Sequence, residues 1–296
     1  MTKLVVGAAQ LGPADEDKAR NVDRILVLLS AARQGSVDLV SFPELALTPY
    51  FCLDPPGSDQ HSDMVDSDHV QRIVESARRL GIAVVLPMAE CDHSGSYNAA
   101  LVIGPDGDVV GRQRKVHLPQ HEQQHFVAGR EFAIHPVCNC ALGVLICADR
   151  AFPESWRVLG LSGAEVVCAP YNTSTRQAYG RPRDMSELEW ARDIQATRMR
   201  AAAMANGFYI IAAGKGGRER GEQYIADSMI ISPWGEIVAR ARTTSDELVT
   251  VEIDLAEVAA FREGGRYSDR RVPTAYNLLT AIDAERGSTS VKMDPA

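Results

Sequence analysis

Short, almost wholly apolar strands alternate with amphipathic helices along most of this chain, and that alternation limits what it can fold into. Residues 4–9, 37–42, 82–88, 140–147, 165–169 and 208–213 are runs in which both faces of a strand would be apolar. Such strands belong in sheets covered on both sides. Between them, residues 19–32 carry Val22, Ile25, Leu26 and Leu29 at helical spacing. Residues 70–80 read as a helix stopped by Gly81, residues 154–162 as one closed by Gly163, and residues 186–206 as the longest, ended by Asn206-Gly207. Residues 97–103 and 108–114 flank Gly104-Pro-Asp-Gly107, a hairpin signal, and residues 228–232 and 237–242 flank Pro233-Trp-Gly235. Residues 132–136 and 247–253 are further strands. Crossover helices with hairpins imply mixed sheets. No low-complexity linker and no fixed-period repeat divides the series. The expectation is one α/β domain over residues 1–286, with a loose tail at 287–296.

The formal charge of −8, from 31 basic and 39 acidic residues, argues against nucleic acid, because the basic residues are scattered and form no positive footprint. No run approaches the ~18 apolar residues of a membrane span, and the apolar start of MTKLVVGAAQLG is too short for a secretory signal. Six cysteines, at 52, 91, 138, 140, 147 and 168, are then expected as free thiols in a reduced, cytoplasmic protein. Cys138-Asn-Cys140 lacks the usual Cys-x-x-Cys metal or redox spacing and reads as strand-edge residues.

Three segments share one layout, a strand delivering a reactive side chain at its C-terminal end. They are Leu39-Val-Ser-Phe-Pro-Glu44, Val109-Val-Gly-Arg-Gln-Arg-Lys115, and Leu142-Gly-Val-Leu-Ile-Cys147-Ala-Asp149. In open α/β folds ligands bind beyond the carboxyl ends of the strands. Taken singly, each residue has a plainer reading: Cys147 as a core thiol, Glu44 as a carboxylate at a helix start, and Lys115 as a solvated strand end beside Arg112 and Arg114.

Together, Phe42-Pro-Glu44-Leu, Arg114-Lys115-Val-His117-Leu-Pro119 and Leu145-Ile-Cys147-Ala-Asp149 resemble, in order, the three signature blocks of the carbon–nitrogen hydrolase (nitrilase) superfamily. Asn98, Gly163-Ala-Glu165 and Ser232-Pro-Trp-Gly-Glu236 support the likeness, which spans roughly residues 4–255. The resemblance implies a four-layer α-β-β-α sandwich, a homodimer or homotetramer, a small-molecule substrate, and no metal or organic cofactor. It assigns Cys147 as nucleophile, Glu44 as its base, Lys115 and the Ala148 N–H as oxyanion donors, and Glu122 as a second glutamate that orients Lys115 or the substrate. Such chemistry suits the residues, since an unperturbed thiol is mostly protonated at neutral pH and needs a base. Fixed positive charge at a developing oxyanion is often the largest catalytic contribution. A scaffold that keeps the sandwich only for binding is the non-catalytic alternative, and the intact Glu44, Lys115 and Cys147 argue against it.

His121-Glu-Gln-Gln-His125 also matches the His-Glu-x-x-His pattern of zinc hydrolases, which requires both histidines on one helical face. Gly129 would end such a helix quickly, and no third ligand follows at the extended spacing. Zinc chemistry is the minor alternative.

Within the family, Cys147-Ala-Asp-Arg150 with Tyr171-Asn-Thr173 resembles the N-carbamoyl-D-amino acid amidohydrolases, which cleave a ureido group to a free amino acid, carbon dioxide and ammonia. That likeness places His117, Arg150, Asn172 and Thr173 along the substrate pocket. Two departures stand out: Ala148 replaces the asparagine after the cysteine, and Ala151 replaces a second arginine expected to grip a substrate carboxylate. Alanine offers nothing like an arginine fork. Either another group, with Arg176, Arg181 and Arg183 as candidates, binds that carboxylate, or the substrate lacks one, as an aliphatic amide or a carbamoyl-amine does. A true nitrilase would carry Trp-Glu after the cysteine.

Overall fold

The computed structural model describes residues 3–54, 61–177, 185–265 and 268–280. The first half comprises β1 (Lys3–Gln10), α1 (Lys18–Gln34), β2 (Leu39–Ser41), α2 (Asp68–Leu80), β3 (Ala83–Asp92), β4 (Gly95–Ile103) and β5 (Val109–Arg114). Then come β6 (Ile134–Val137), β7 (Cys140–Val144), α3 (Pro153–Leu161), β8 (Val166–Cys168), α4 (Glu187–Asn206) and β9 (Tyr209–Ala212). The chain continues through β10 (Gly216–Glu219), β11 (Glu222–Ile225), β12 (Met229–Ile231), β13 (Ile237–Arg240), β14 (Glu247–Asp254) and α5 (Ala256–Gly265).

One sheet runs β14-β1-β2-β3-β4-β5 and the other β13-β12-β9-β8-β7-β6. In each, a parallel trio is joined by two helices: β1, β2 and β3 through α1 and α2, and β7, β8 and β9 through α3 and α4. Each trio gains two antiparallel strands on one side and one on the other. The two halves therefore repeat one topology, although the sequence shows no repeat.

Side-chain alternation builds the layers. Along β3, Ala83 and Val85 pack with Val144, Val166 and Ile211 of the other sheet. Val84, Leu86 and Met88 pack instead with Ile25 and Leu29 of α1 and Ile73 of α2. On β8, Val166 and Cys168 face the first sheet, while Val167 meets Leu159 of α3 and Met199 of α4. The order is helices, sheet, sheet, helices, as expected. Buried, fully apolar strands are what both sheets require.

Local signals set the helix ends. Ser67 caps α2 by accepting from Val70 N, and Gly81 ends it in the left-handed region at φ 65°. Ser186 and Glu189 form a reciprocal capping box on α4, and Gly207, also at φ 65°, stops it. The β6–β7 hairpin turns on Cys138 and Asn139, both left-handed at φ 50° and 57°. Cys138 is thus a turn residue, and only Cys140 begins a strand. The hairpin β10–β11 and helix α5 go beyond the sequence expectation. The tail at 287–296, with Arg181 and Arg183, lies outside the described residues.

Candidate active site

Glu44, Lys115 and Cys147 each lie just past the C-terminal end of a strand: β2, β5 and β7. The strand expected to run to Cys147 stops at Val144, and Cys147 opens a short 3-10 turn, Cys147–Ala151. Its φ of 46° is left-handed, a strained conformation for a residue with a Cβ. Cys147 N donates to Pro170 O at 2.8 Å, which anchors the turn to the end of β8. Ala148 follows at the start of this turn, where an N–H has no partner within the helix. Leu45, next to Glu44, is also left-handed, at φ 47°.

Polar contacts bind the three into one network. The Cys147 thiol neighbours the Glu44 carboxylate, and each group acts on the other's proton affinity. Lys115 Nζ donates to Glu44 Oε1 at 2.7 Å and to both oxygens of Glu122, at 2.6 and 2.8 Å. Asn98 Nδ2 donates to Glu44 Oε1 at 2.8 Å and reaches Glu122 Oε2 at 3.4 Å. Asn172 holds Glu44 from the second sheet: its N donates to Oε2 at 3.1 Å and its Nδ2 to the Glu44 carbonyl at 2.9 Å. Tyr50 OH donates to Glu122 Oε1 at 2.6 Å. Glu44, Lys115 and Glu122 are buried, and the Cys147 thiol is half-buried.

The charges follow from that packing. Burial pushes Glu44 up, but the Lys115 charge, the hydrogen bonds from Lys115 and Asn98, and the neighbouring Cys147 outweigh it, so its carboxyl is held below the ordinary range. Burial and then the Glu44 charge push Glu122 up, against the pull of Lys115. Burial opposes the Lys115 charge, yet two facing carboxylates hold it well above the usual lysine range. Burial and then the Glu44 charge push the Cys147 thiol up to about 12, with Lys115 and Arg150 pulling the other way. The resting state is a thiol against an ionised carboxylate, with an ammonium beside it. That arrangement can pass a thiol proton to Glu44 as sulfur attacks a carbon, and it holds positive charge ready for a developing oxyanion.

The other expected pocket residues are engaged with protein groups. His117 Nδ1 sits 2.8 Å from Asp149 Oδ1, and its ring stacks on Phe152 at 3.8 Å. Arg150 donates to the Cys147 carbonyl at 3.2 Å and to Thr173 Oγ1 at 3.1 Å, and lies over the Tyr171 ring. Asn172 keeps one buried atom, Oδ1, without a partner. Arg176 is paired with Glu222 at 2.9 Å.

The run 120–125 is a chain of turns rather than a helix, so the shared face that the zinc pattern requires does not form. Glu122 is bound to Lys115, His121 to Tyr50, and His125 lies edge-on to Phe51. Among the described residues, no group of three or more His, Cys, Asp or Glu is placed to hold a metal ion.

Tyr50, Asn98 and Asp149 complete the network, and none of them is assigned a chemical role by the sequence analysis. Asp149 sits in the Cys147 block and Asn98 was a supporting residue, so both were within reach. Tyr50 carries no local signal at all.

A family model described as carbon–nitrogen hydrolase matches residues 5–263. The chain is 31% identical over 252 residues to a nitrilase of Pyrococcus abyssi, covering 84% of this chain and 89% of that protein. It is 29% identical over 306 residues to an N-carbamoylputrescine amidase of Solanum lycopersicum, covering 98% of each. A carbon–nitrogen hydrolase structure from Helicobacter pylori G27 superposes with a TM-score of 0.83 at 23% identity, covering 94% of this chain and 98% of that one. These matches do not carry the N-carbamoyl-D-amino acid name that residues 147–173 suggest, which agrees with the alanine at 151. With the family model spanning both sheets and the helices around them, the chain belongs to the carbon–nitrogen hydrolase family.

Proposed function

We propose that this protein hydrolyses the terminal C–N bond of a small ureido or amide compound that bears no α-carboxylate, with N-carbamoyl amines the leading class and simple aliphatic amides the second. The observation that carries the reaction is the buried Glu44–Lys115–Glu122 network, with Lys115 bonded to both glutamates, set beside the Cys147 turn. In the first half, the S–H proton passes to Glu44 and sulfur bonds to the carbonyl carbon. The oxyanion develops against the Lys115 charge and the Ala148 N–H. The C–N bond then breaks, Glu44 returns the proton to nitrogen, and ammonia leaves. In the second half, water attacks the thioester or thiocarbamate and gives its proton to Glu44, the C–S bond breaks, and the thiol is re-formed. A ureido substrate yields a carbamic acid that loses carbon dioxide to leave the amine.

Charge supports the substrate class. Among the described residues, Lys115 is committed to two glutamates, Lys215 to Glu219, and Arg176 to Glu222. Arg150 is buried over the Tyr171 ring and bonded to Thr173. An incoming carboxylate that used any of these groups would have to compete with its present partner. The relatives named N-carbamoylputrescine amidase, whose named substrate is a ureido amine without a carboxylate, support the same reading.

Ammonia release from paired N-carbamoyl amines, N-carbamoyl amino acids and simple amides tests it. The expected result is at least about tenfold higher kcat/KM for the carboxyl-free member of each pair, and loss of turnover by roughly a thousandfold or more in Cys147→Ala. Turnover confined to the amino acid derivatives would overturn the substrate class. A fully active Cys147→Ala would overturn the mechanism.

A further inference from the structure

Tyr50 Oη lies 2.6 Å from Glu122 Oε1 and 2.9 Å from His121 Nε2. A phenol has one proton to donate. It goes to Glu122, whose same oxygen also accepts from Lys115. The second contact must then run the other way, with Tyr50 Oη accepting and His121 donating. That places the imidazole proton on Nε2. Past Tyr50, the contacts lead through Glu122 to Lys115, from Lys115 to Glu44, and from Glu44 to the Cys147 thiol. Glu122, Lys115 and Glu44 are buried, whereas His121 is half-buried. Together with Gln120, Gln123 and Gln124, His121 lines a surface recess of about 560 Å³. The network thus has a solvent-side end at His121 and a reacting end at Cys147.

We propose that His121 is a positioning residue for the hydrolysis: its Nε2–H, donated to Tyr50, aims the Tyr50 hydroxyl at Glu122 and so keeps Glu122, Lys115 and Glu44 in line with the thiol. The proposal rests on the reading of Cys147, Glu44 and Lys115 as the reacting set. Without the donor, the Tyr50 hydroxyl is free to turn toward the recess. Glu122 Oε1 then loses a hydrogen bond, and the Lys115 ammonium follows whichever geometry Glu122 takes. The consequence falls on proton transfer from the thiol and on charge stabilisation, which are properties of the chemical step, and not on substrate capture.

Two readouts on the full-length protein test this. One needs no substrate: the rate of iodoacetamide alkylation at Cys147, followed on its own peptide by mass spectrometry. The other is kcat and KM for ammonia release. His121→Gln keeps an N–H donor, and His121→Leu has comparable bulk without one. The expected result is a fall of about tenfold in both the alkylation rate and kcat for His121→Leu, with KM within about twofold and at least roughly half the wild-type kcat in His121→Gln. At about pH 9, above the ordinary histidine range, imidazole should restore His121→Gly, and 1-methylimidazole, which has no N–H, should not. Equal behaviour of the Gln and Leu variants, or equal rescue by both imidazoles, would mean that the ring only fills space and would overturn the proposal. Slowed alkylation in His121→Leu, in a protein that releases ammonia from no amide or ureido compound, would remove the substrate reading and leave His121 in place.

Discussion

Asp149 is buried, and its two oxygens join two segments that the reaction needs in register. Oδ1 accepts from His117 N at 2.8 Å and faces His117 Nδ1 at the same distance. Oδ2 accepts from Ile146 N at 3.3 Å and Val116 N at 3.4 Å. One carboxyl group thus fastens the nucleophile turn to the segment after Lys115. Asp149→Asn keeps the shape but sets an NH2 against N–H donors, and a buried donor left unmatched costs about 1–3 kcal/mol. The expected outcome is a stability loss of that size by urea unfolding, with kcat lowered about tenfold or more because the thiol and the ammonium no longer share a frame. A variant with wild-type kcat and midpoint would show that the clamp is dispensable. At this scale the sequence was readable where a reactive residue closes a strand within a short block, as Glu44, Lys115 and Cys147 do. It was silent where partners are distant in the chain, since Tyr50 meets Glu122 across 72 positions. The resemblance marked Glu122 as orienting Lys115 or the substrate, but contacts such as Asn98 to Glu44, 54 positions apart, need the fold.

Apolar periodicity made the larger elements legible. In α2, Val70, Ile73, Val74 and Ala77 are buried at the expected helical spacing, and the helix ends at Gly81 as the sequence indicates. The hairpin of β10 and β11 was not legible, because Gly-Gly-Arg-Glu and the polar residues after it look like a loop. Its turn is set by Arg220 and Gly221, left-handed at φ 48° and 83°, and its strands by pairing from Gly216–Ile225 to Glu219–Glu222. The segment after β5 shows how an element end depends on one small residue. Gly129 N donates to Lys115 O at 2.8 Å, and a Cβ at Gly129 would stand 2.4 Å from the Arg114 carbonyl oxygen. Backbone atoms cannot swing aside as a flexible side chain would. Gly129→Ala should therefore push the segment 126–129 away from Lys115, costing roughly 1–3 kcal/mol and lowering kcat in the same variant. Unfolding midpoints and steady-state rates measured together check this, and an unchanged protein would mean that the loop relaxes without moving Lys115.

The whole molecule draws its site from both halves: Glu44, Asn98 and Lys115 from the first, Cys147 and Asn172 from the second. The shared topology of these halves escaped the sequence because layers constrain burial, not residue identity, and many apolar sets fill the same positions. Packing sheet on sheet has a further consequence for pH. Cys140 and Cys168 lie in the core between the sheets, and Cys138 packs against it. Burial pushes Cys138 up to about 11 and Cys140 up to about 12, and Cys168 is raised further still. The same force raises the buried Tyr171. A group whose proton is held more tightly in the folded chain gives its full stabilisation below its unfolded pKa, near 9.0 for a thiol, and loses it as pH rises through the folded value. The unfolded chain gives up those protons first, so stability should fall steadily from about pH 9 toward 12. Thermal unfolding followed across that range measures it. Cys140→Ala should start lower at neutral pH, by about 1 kcal/mol for the lost sulfur, and then decline less steeply than wild type. A slope identical to wild type would remove Cys140 from the alkaline loss and leave it to the other buried thiols and tyrosines, whose titration between packed layers obeys the same sign.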